Sequence, residues 1–379
     1  MEGMTFIHTT HVGSLPRGPE LTPLLLARDH GEPYDAAEFD RAVQAAVDEA
    51  VAKQIAAGVS IVSDGELGKV GYSTYIIERL EGFGGHSERK PAADLALLPE
   101  LRAKLAAIMG AQEFTRASCI APVRLKTLEP LHDDIRRFRK ALAGTDVRAF
   151  LNAASPGLIT AFQPNAHYPN HDAYLADLVT AMAPEYEAIH AAGFELQLDC
   201  PDLAMSRHTG YQDASEAEFL AIAAANVEAL NAATAAIPPE RMRMHVCWGN
   251  YEGPHDHDIP LEKILAIILK ARPATILFEA ANPRHEHEWT IWRDAKLPGD
   301  KVLAPGLIDT CSNYLEHPEL IAQRLARFAA IVGPERVIAS TDCGFGTFAG
   351  YGKIDPAIAW KKLAALREGA DLIAARWGS

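Results

Sequence analysis

The chain has 379 residues, 48% of them hydrophobic, and a net charge of −14. That length allows one large domain or two ordinary ones around a substantial core, and the acidic balance with no basic stripe argues against a nucleic-acid partner. No apolar run reaches the roughly 18 to 20 residues of a membrane span, the N-terminus lacks a basic-then-apolar leader, and five cysteines are too sparse and odd a set for a disulfide framework, so a cytoplasmic protein is expected.

In chain order, eight short runs rich in β-branched and apolar residues read as buried strands. They are Phe6–Val12, Val59–Ser63, Val147–Ala153, Phe194–Leu198, Met242–Cys247, Thr275–Phe278, Val302–Ile308 and Val337–Thr341. Helical patterns fall between them, at Asp40–Ala57, Asp172–Ala192, Ser215–Ile237, Pro260–Ala271 and Pro318–Ile331. The last two begin with proline, which is tolerated in the first turn. Such alternation predicts a parallel sheet, and eight strands predict an α/β fold of the (β/α)8 TIM-barrel kind. The chain then forms a single catalytic domain over 1–379. Its segment 82–146 is long for one strand–helix unit and reads as an insertion packed on the barrel, with a helix over Pro99–Met109 and a hairpin around Phe114–Lys126.

In that fold, chemistry sits where the strands end. Those ends carry His11–Ser14, Asp64-Gly65-Glu66, Ser155-Pro156, Asp199-Cys200-Pro201-Asp202, His245-Val246-Cys247, Glu279, Asp309-Thr310-Cys311 and Asp342-Cys343-Gly344. His245 and Cys247 are two apart on one strand and point the same way. With Glu279 and Cys343 they make a donor set of two thiols, one imidazole and one carboxylate. Such a set suits Zn2+ better than magnesium or calcium. Two thiolates and a carboxylate leave zinc electron-rich, a poor activator of water but a good host for a substrate thiol, which coordination deprotonates. Alkyl transfer to a thiol is the reaction class this implies. Cys119 reads as a small buried hydrophobe. The pairs His255/His257 and His285/His287 read as solvated or substrate-facing loop residues.

The motifs Thr9-Thr10-His11-Val12-Gly13-Ser14-Leu15-Pro16-Arg17, Asp64-Gly65-Glu66, Leu196-Gln197-Leu198-Asp199-Cys200-Pro201, His245-Val246-Cys247 and Asp342-Cys343-Gly344 resemble those of the C-terminal catalytic barrel of the cobalamin-independent methionine synthase family. The resemblance implies zinc on His245, Cys247, Glu279 and Cys343. It implies that Glu66 and Asp199 receive the ammonium of homocysteine, that the turn around Ser14 receives its carboxylate, and that a methyl-folate-like donor is used. The sequence departs from the family in three ways. It lacks the additional N-terminal barrel of the full-length enzyme and so resembles a core-type member. Cys311 stands where the family places a proton-donating histidine, with Asp309, His317 or His255 as substitutes. Cys200 replaces an acidic residue. Asn250, Asp309 and Cys311 are expected at the mouth, with Phe162, Trp248 and Tyr251 as stacking surfaces for a flat donor.

Two alternatives stay open. One is an enzyme like epoxyalkane:coenzyme M transferase, for which Arg17, Lys69 or Arg207 would face a sulfonate. The other is a non-zinc barrel of the uroporphyrinogen-decarboxylase type. Homo-oligomerisation is compatible with either.

Overall fold

The computed structural model describes residues 6–88, 90–109, 116–352 and 354–377. The main sheet is parallel, with strands β1 (Ile61–Ser63), β4 (Arg148–Ala154), β5 (Glu195–Asp199), β6 (Met242–Val246), β7 (Thr275–Phe278) and β8 (Val302–Pro305) in that order. A separate antiparallel pair joins β2 (Leu80–Gly84) to β3 (Ser118–Leu125). The registers Ala154↔Asp199, Asp199↔His245 and Val246↔Phe278 bring the C-terminal ends of β4 to β7 level with one another.

Beyond β8 the ladder continues as single bridges. Leu303 pairs with Val337, Gly306 with Ser340, and Ala339 with Thr9. The Thr9 carbonyl in turn accepts from the Ile61 amide at 3.0 Å, at the start of β1. The sheet is therefore curled, in a TIM-barrel-like α/β fold. Six of the eight expected strands form ladders within three residues of their predicted bounds, the largest difference being β8, which ends at Pro305 rather than Ile308. The first and last expected strands, Phe6–Val12 and Val337–Thr341, contribute bridges rather than full ladders. Side chains fill the inside of the curl. Val12, Ile61, Phe150, Leu277, Ala304 and Ile338 form one buried cluster, and the Arg243 guanidinium sits 3.9 Å above the Phe150 ring while donating to Thr10 Oγ1 and the His11 carbonyl.

Helix starts follow local capping. The helix expected from Asp40 begins at Ala36, because Asp35 accepts from the amides of Ala37 and Glu38. The next long helices, His171–Ala191 and Glu216–Ala233, are capped by Asn170 and by a Ser215/Glu218 capping box. The second ends four residues before Ile237, where Thr234 turns its hydroxyl onto the Leu230 carbonyl.

The expected hairpin around Phe114–Lys126 is not local. Ser118–Leu125 pairs instead with Leu80–Gly84 upstream, and Phe114 lies outside the described residues. The helix Pro99–Met109 forms as expected, preceded by the short helix Ala93–Ala96. The helix Glu129–Ala141 packs on Ala36–Ala56 through Arg137, which donates to Asp40 at 2.7 Å. Among the described residues no helix is long and apolar enough to cross a membrane.

Candidate metal and substrate site

Three of the four expected metal donors converge. His245 is the last but one residue of β6, Cys247 follows the strand, and Cys343 follows the bridging segment 337–340. One ligand atom from each lies within 4.8 Å of the others, and all three residues are buried. The two sulfurs are 3.8 Å apart, well beyond the roughly 2.05 Å of a disulfide. His245 Nε2 lies 3.0 Å from the Asp342 carbonyl, which can only accept, so Nε2 carries the proton and Nδ1 keeps its lone pair. Burial pushes the His245 imidazole down to about 4, leaving it neutral as a ligand must be. The Cys343 sulfur and burial hold the Cys247 thiol well above the usual range. Two thiols packed this closely ionise together only beside a cation, and the donor set fits a soft divalent ion.

Glu279, the fourth expected donor, stands at the end of β7 outside this group. Its Oε1 accepts from the Trp248 amide at 2.7 Å and its Oε2 from Asn282 Nδ2 at 2.7 Å. Burial raises its carboxyl above the ordinary value.

A second set of groups faces the same space. Glu66 follows Gly65 in a turn where both have positive φ, 55° for Glu66 and 71° for Gly65. A non-glycine residue held there points to function. Glu66 Oε2 is buried and lacks a hydrogen-bond partner among the described residues, with the Lys69 ammonium 3.8 Å away. Burial pushes Glu66 up to about 7 and Asp199 up to about 6. Asp199 is held by Asn152 Nδ2 and Gln197 Nε2. Ser14 ties the two halves together. Its carbonyl accepts from Phe345 at 2.8 Å, and the next amide, that of Leu15, donates to Gly65.

Ser14, Glu66, Asp199, His245, Cys247 and Cys343 all line one cavity of about 1010 Å3. Phe162, Asn250 and Tyr251 line it too, together with Tyr72 and Phe348. Further out are Leu95, Arg102 and Leu105 of the segment after β2. Trp248, Asp309 and Cys311 are not among its lining residues. Trp248 is buried, with its indole N–H on the Ile259 carbonyl and its ring 4.4 Å from that of His285. Asp309 Oδ1 caps a turn by accepting from the Cys311 amide. The Cys311 thiol, kept protonated by burial, donates to Asn250 Oδ1. His317 caps the helix Pro318–Val332. The buried Cys200 points its thiol at the Leu198 carbonyl.

One assembly has no local signal in the sequence. His208, His255 and His285 converge on Asp258, at 3.1, 2.9 and 2.9 Å. His255 and His285 are therefore buried rather than solvated, while His257 and His287 face outward. Burial alone would push Asp258 up, but the three imidazoles hold it well below the usual carboxylate range. Burial likewise opposes protonation of His285, yet Asp258 and Glu288 push it up to about 10.

A curled parallel sheet with two thiols, an imidazole and two buried carboxylates lining one cavity at its strand ends defines an α/β protein of TIM-barrel-like fold with its candidate site at the mouth. The chain resembles the cobalamin-independent methionine synthases over nearly its whole length. It is 23% identical over 378 residues to a protein named methionine synthase from Saccharolobus solfataricus, covering 98% of this chain and 96% of the relative. The likeness to a methionine synthase from Thermococcus kodakarensis is also 23%, over 98% of this chain and 94% of the relative. Among solved structures, a B12-independent methionine synthase from a Shewanella species, in complex with selenomethionine, superposes with a TM-score of 0.70 at 19% identity, covering 98% of both chains. A putative vitamin-B12 independent methionine synthase from Listeria monocytogenes gives 0.66 at 19% identity, covering 97% of this chain and 98% of that one. No family model matches the chain.

Proposed function

We propose that this chain transfers a methyl group to the thiol of homocysteine, forming methionine, at a zinc site on His245, Cys247 and Cys343 with Glu279 as a displaceable fourth donor. One observation carries the reading: two sulfurs and a neutral imidazole meet in the same cavity as two buried carboxylates. Zinc, when bound, supplies the positive charge that lets the substrate sulfur lose its proton at neutral pH.

The chain's own groups do the rest. Glu66, with an unpartnered buried oxygen, and Asp199 take the substrate ammonium. The turn around Ser14, shared between the Gly65 turn and Phe345, takes the substrate carboxylate. Asn250 steadies the sulfur end. Its Nδ2 donates to the Gly344 carbonyl, and its Oδ1 accepts from Thr310 and Cys311. A flat donor of the methyl-folate kind enters the outer cavity, where Tyr72, Phe162 and Phe348 offer ring faces. Rate then comes mainly from holding sulfur and methyl carbon in line.

The three cationic residues expected from the sequence to face a sulfonate are engaged elsewhere. Arg17 donates to the carbonyls of Glu66, Lys69 and Gly346, Lys69 to that of Asn152, and Arg207 to those of Tyr211 and Gln212. This favours an amino-acid thiol over coenzyme M. We read 1–379 as one (β/α)8 catalytic unit with 82–146 inserted.

The test is metal analysis followed by assay. About one zinc per chain and methylation of homocysteine by a methyl-tetrahydrofolate are expected. Absence of zinc, or turnover of coenzyme M with an epoxide while homocysteine is inert, sinks the reading.

A further inference from the structure

Glu279 stands outside the sulfur–imidazole group, and both its oxygens are held. Oε1 sits on the Trp248 amide and Oε2 on Asn282 Nδ2. Asn282 is itself fixed at both ends of its amide. Nδ2 also donates to Asp342 Oδ2 at 3.1 Å, and Oδ1 accepts from the amides of Arg284 and His285. Asp342 completes the arrangement. Its two oxygens accept from the amides of Ala280, Ala281 and Asn282, so the loop after β7 is anchored to the residue next to Cys343. The two protons of the Asn282 amide are thus divided between Glu279 and Asp342, and the Asn282 side chain has no rotamer freedom that keeps all four contacts.

A carboxylate that already accepts two short hydrogen bonds is a weaker competitor for a cation than a free one, because those bonds must break first. We propose that Asn282 is a positioning residue that restrains Glu279 and so keeps the fourth position at the cluster open to a substrate thiol. This rests on the zinc-site reading above. The pull of Glu279 on the metal is set from outside the ligand set, by one amide that also reads the position of the Cys343 strand end through Asp342. No sequence motif marks Asn282. It stands three residues after Glu279 and becomes visible only through its contacts.

The experiment measures zinc affinity by competition with a chelator, in the parent protein and in N282S and N282D, each with and without E279Q. Both substitutions keep an oxygen to accept from Arg284 and His285. N282S removes the donor to Glu279, and N282D, near-isosteric, replaces it with a like charge. Zinc is expected to bind on the order of tenfold tighter in both, with no gain when E279Q is present. Homocysteine is expected to bind the zinc-loaded variants more weakly by a similar factor, read as a smaller change in the visible spectrum of the cobalt-substituted protein when the thiol is added. If N282S does not fold, N282D alone decides. Unchanged affinity in the variants, or an equal gain with E279Q, overturns the role of Asn282 while leaving the zinc site standing. A parent protein that takes up no zinc overturns both.

Discussion

The sulfurs of Cys247 and Cys343, 96 residues apart in the chain, lie 3.8 Å from each other at two strand ends. With His245 they supply three donors, the number a catalytic zinc site requires of its protein. C247S or C343S should reduce bound zinc from about one per chain to below about a tenth, with methyl transfer lost in parallel. Metal analysis after dialysis checks this. Wild-type zinc in either variant removes the assignment.

Glu66 should act on the amino end of the substrate alone. E66Q exchanges a charge-assisted contact for a neutral one, worth about 1.5 to 3 kcal/mol, so the KM for homocysteine should rise about tenfold to a hundredfold. Zinc content should not change. Affinity in the parent should also improve as pH rises through about 7, where Glu66 ionises. A pH-independent KM contradicts the assignment.

The same group makes a stability prediction. Its carboxyl is raised from 4.5 to about 7 by burial. A raised folded-state value means the stabilising contribution is full below 4.5 and lost as pH climbs through 7. In metal-free protein E66Q should therefore be more stable than the parent at pH 8, on the order of 2 kcal/mol, with the gap closing towards pH 4. Urea unfolding at both pH values measures it.

Asp258 is the shared partner of three buried imidazoles. D258N leaves the raised His285 without its main counter-charge and should cost about 3 to 5 kcal/mol. His285 is raised to about 10, so its contribution is full below 6.5 and fades as pH rises through 10. The loss in D258N should therefore be largest near pH 6 and smaller at pH 10. An equal loss at both would show that the aspartate acts through shape alone.

Gly344 lies directly against Ser14. A Cβ added there would fall 1.9 Å from Ser14 Oγ. G344A should destabilise by about 1 to 3 kcal/mol through overpacking. S14A in the same protein should restore most of it, because it removes the clashing oxygen. A double variant no more stable than G344A would place the strain in the backbone.

The strand ends were legible because a short apolar run that stops at a polar residue marks both an element and its functional tip. Six strands, the His245–Cys247 pair, Cys343, Glu66 and Asp199 all follow that pattern. What escaped was non-local. Ser118–Leu125 shows its strand character but not its partner, Leu80–Gly84, because antiparallel pairing across a long excursion leaves no turn signature. His255 and His285 look like loop polars until Asp258 and His208 are seen to meet them. Trp248 carries an aromatic ring beside Cys247, yet its N–H is satisfied by the Ile259 carbonyl, and it is not among the cavity's lining residues. Burial direction of a large side chain depends on which neighbour offers the acceptor, and that neighbour lies in another element.

Ser14 touches Gly344 and Phe345, and Thr9 bridges Ala339, so the earliest and latest stretches of the described chain are neighbours. Contacts of such long sequence separation form slowly. Cys247 meets its sulfur neighbour only after a further 96 residues of chain have been made. An ion held at the proposed site would therefore be gripped by all three donors only once both stretches are in place, and a product truncated before Cys343 would lack one of the three.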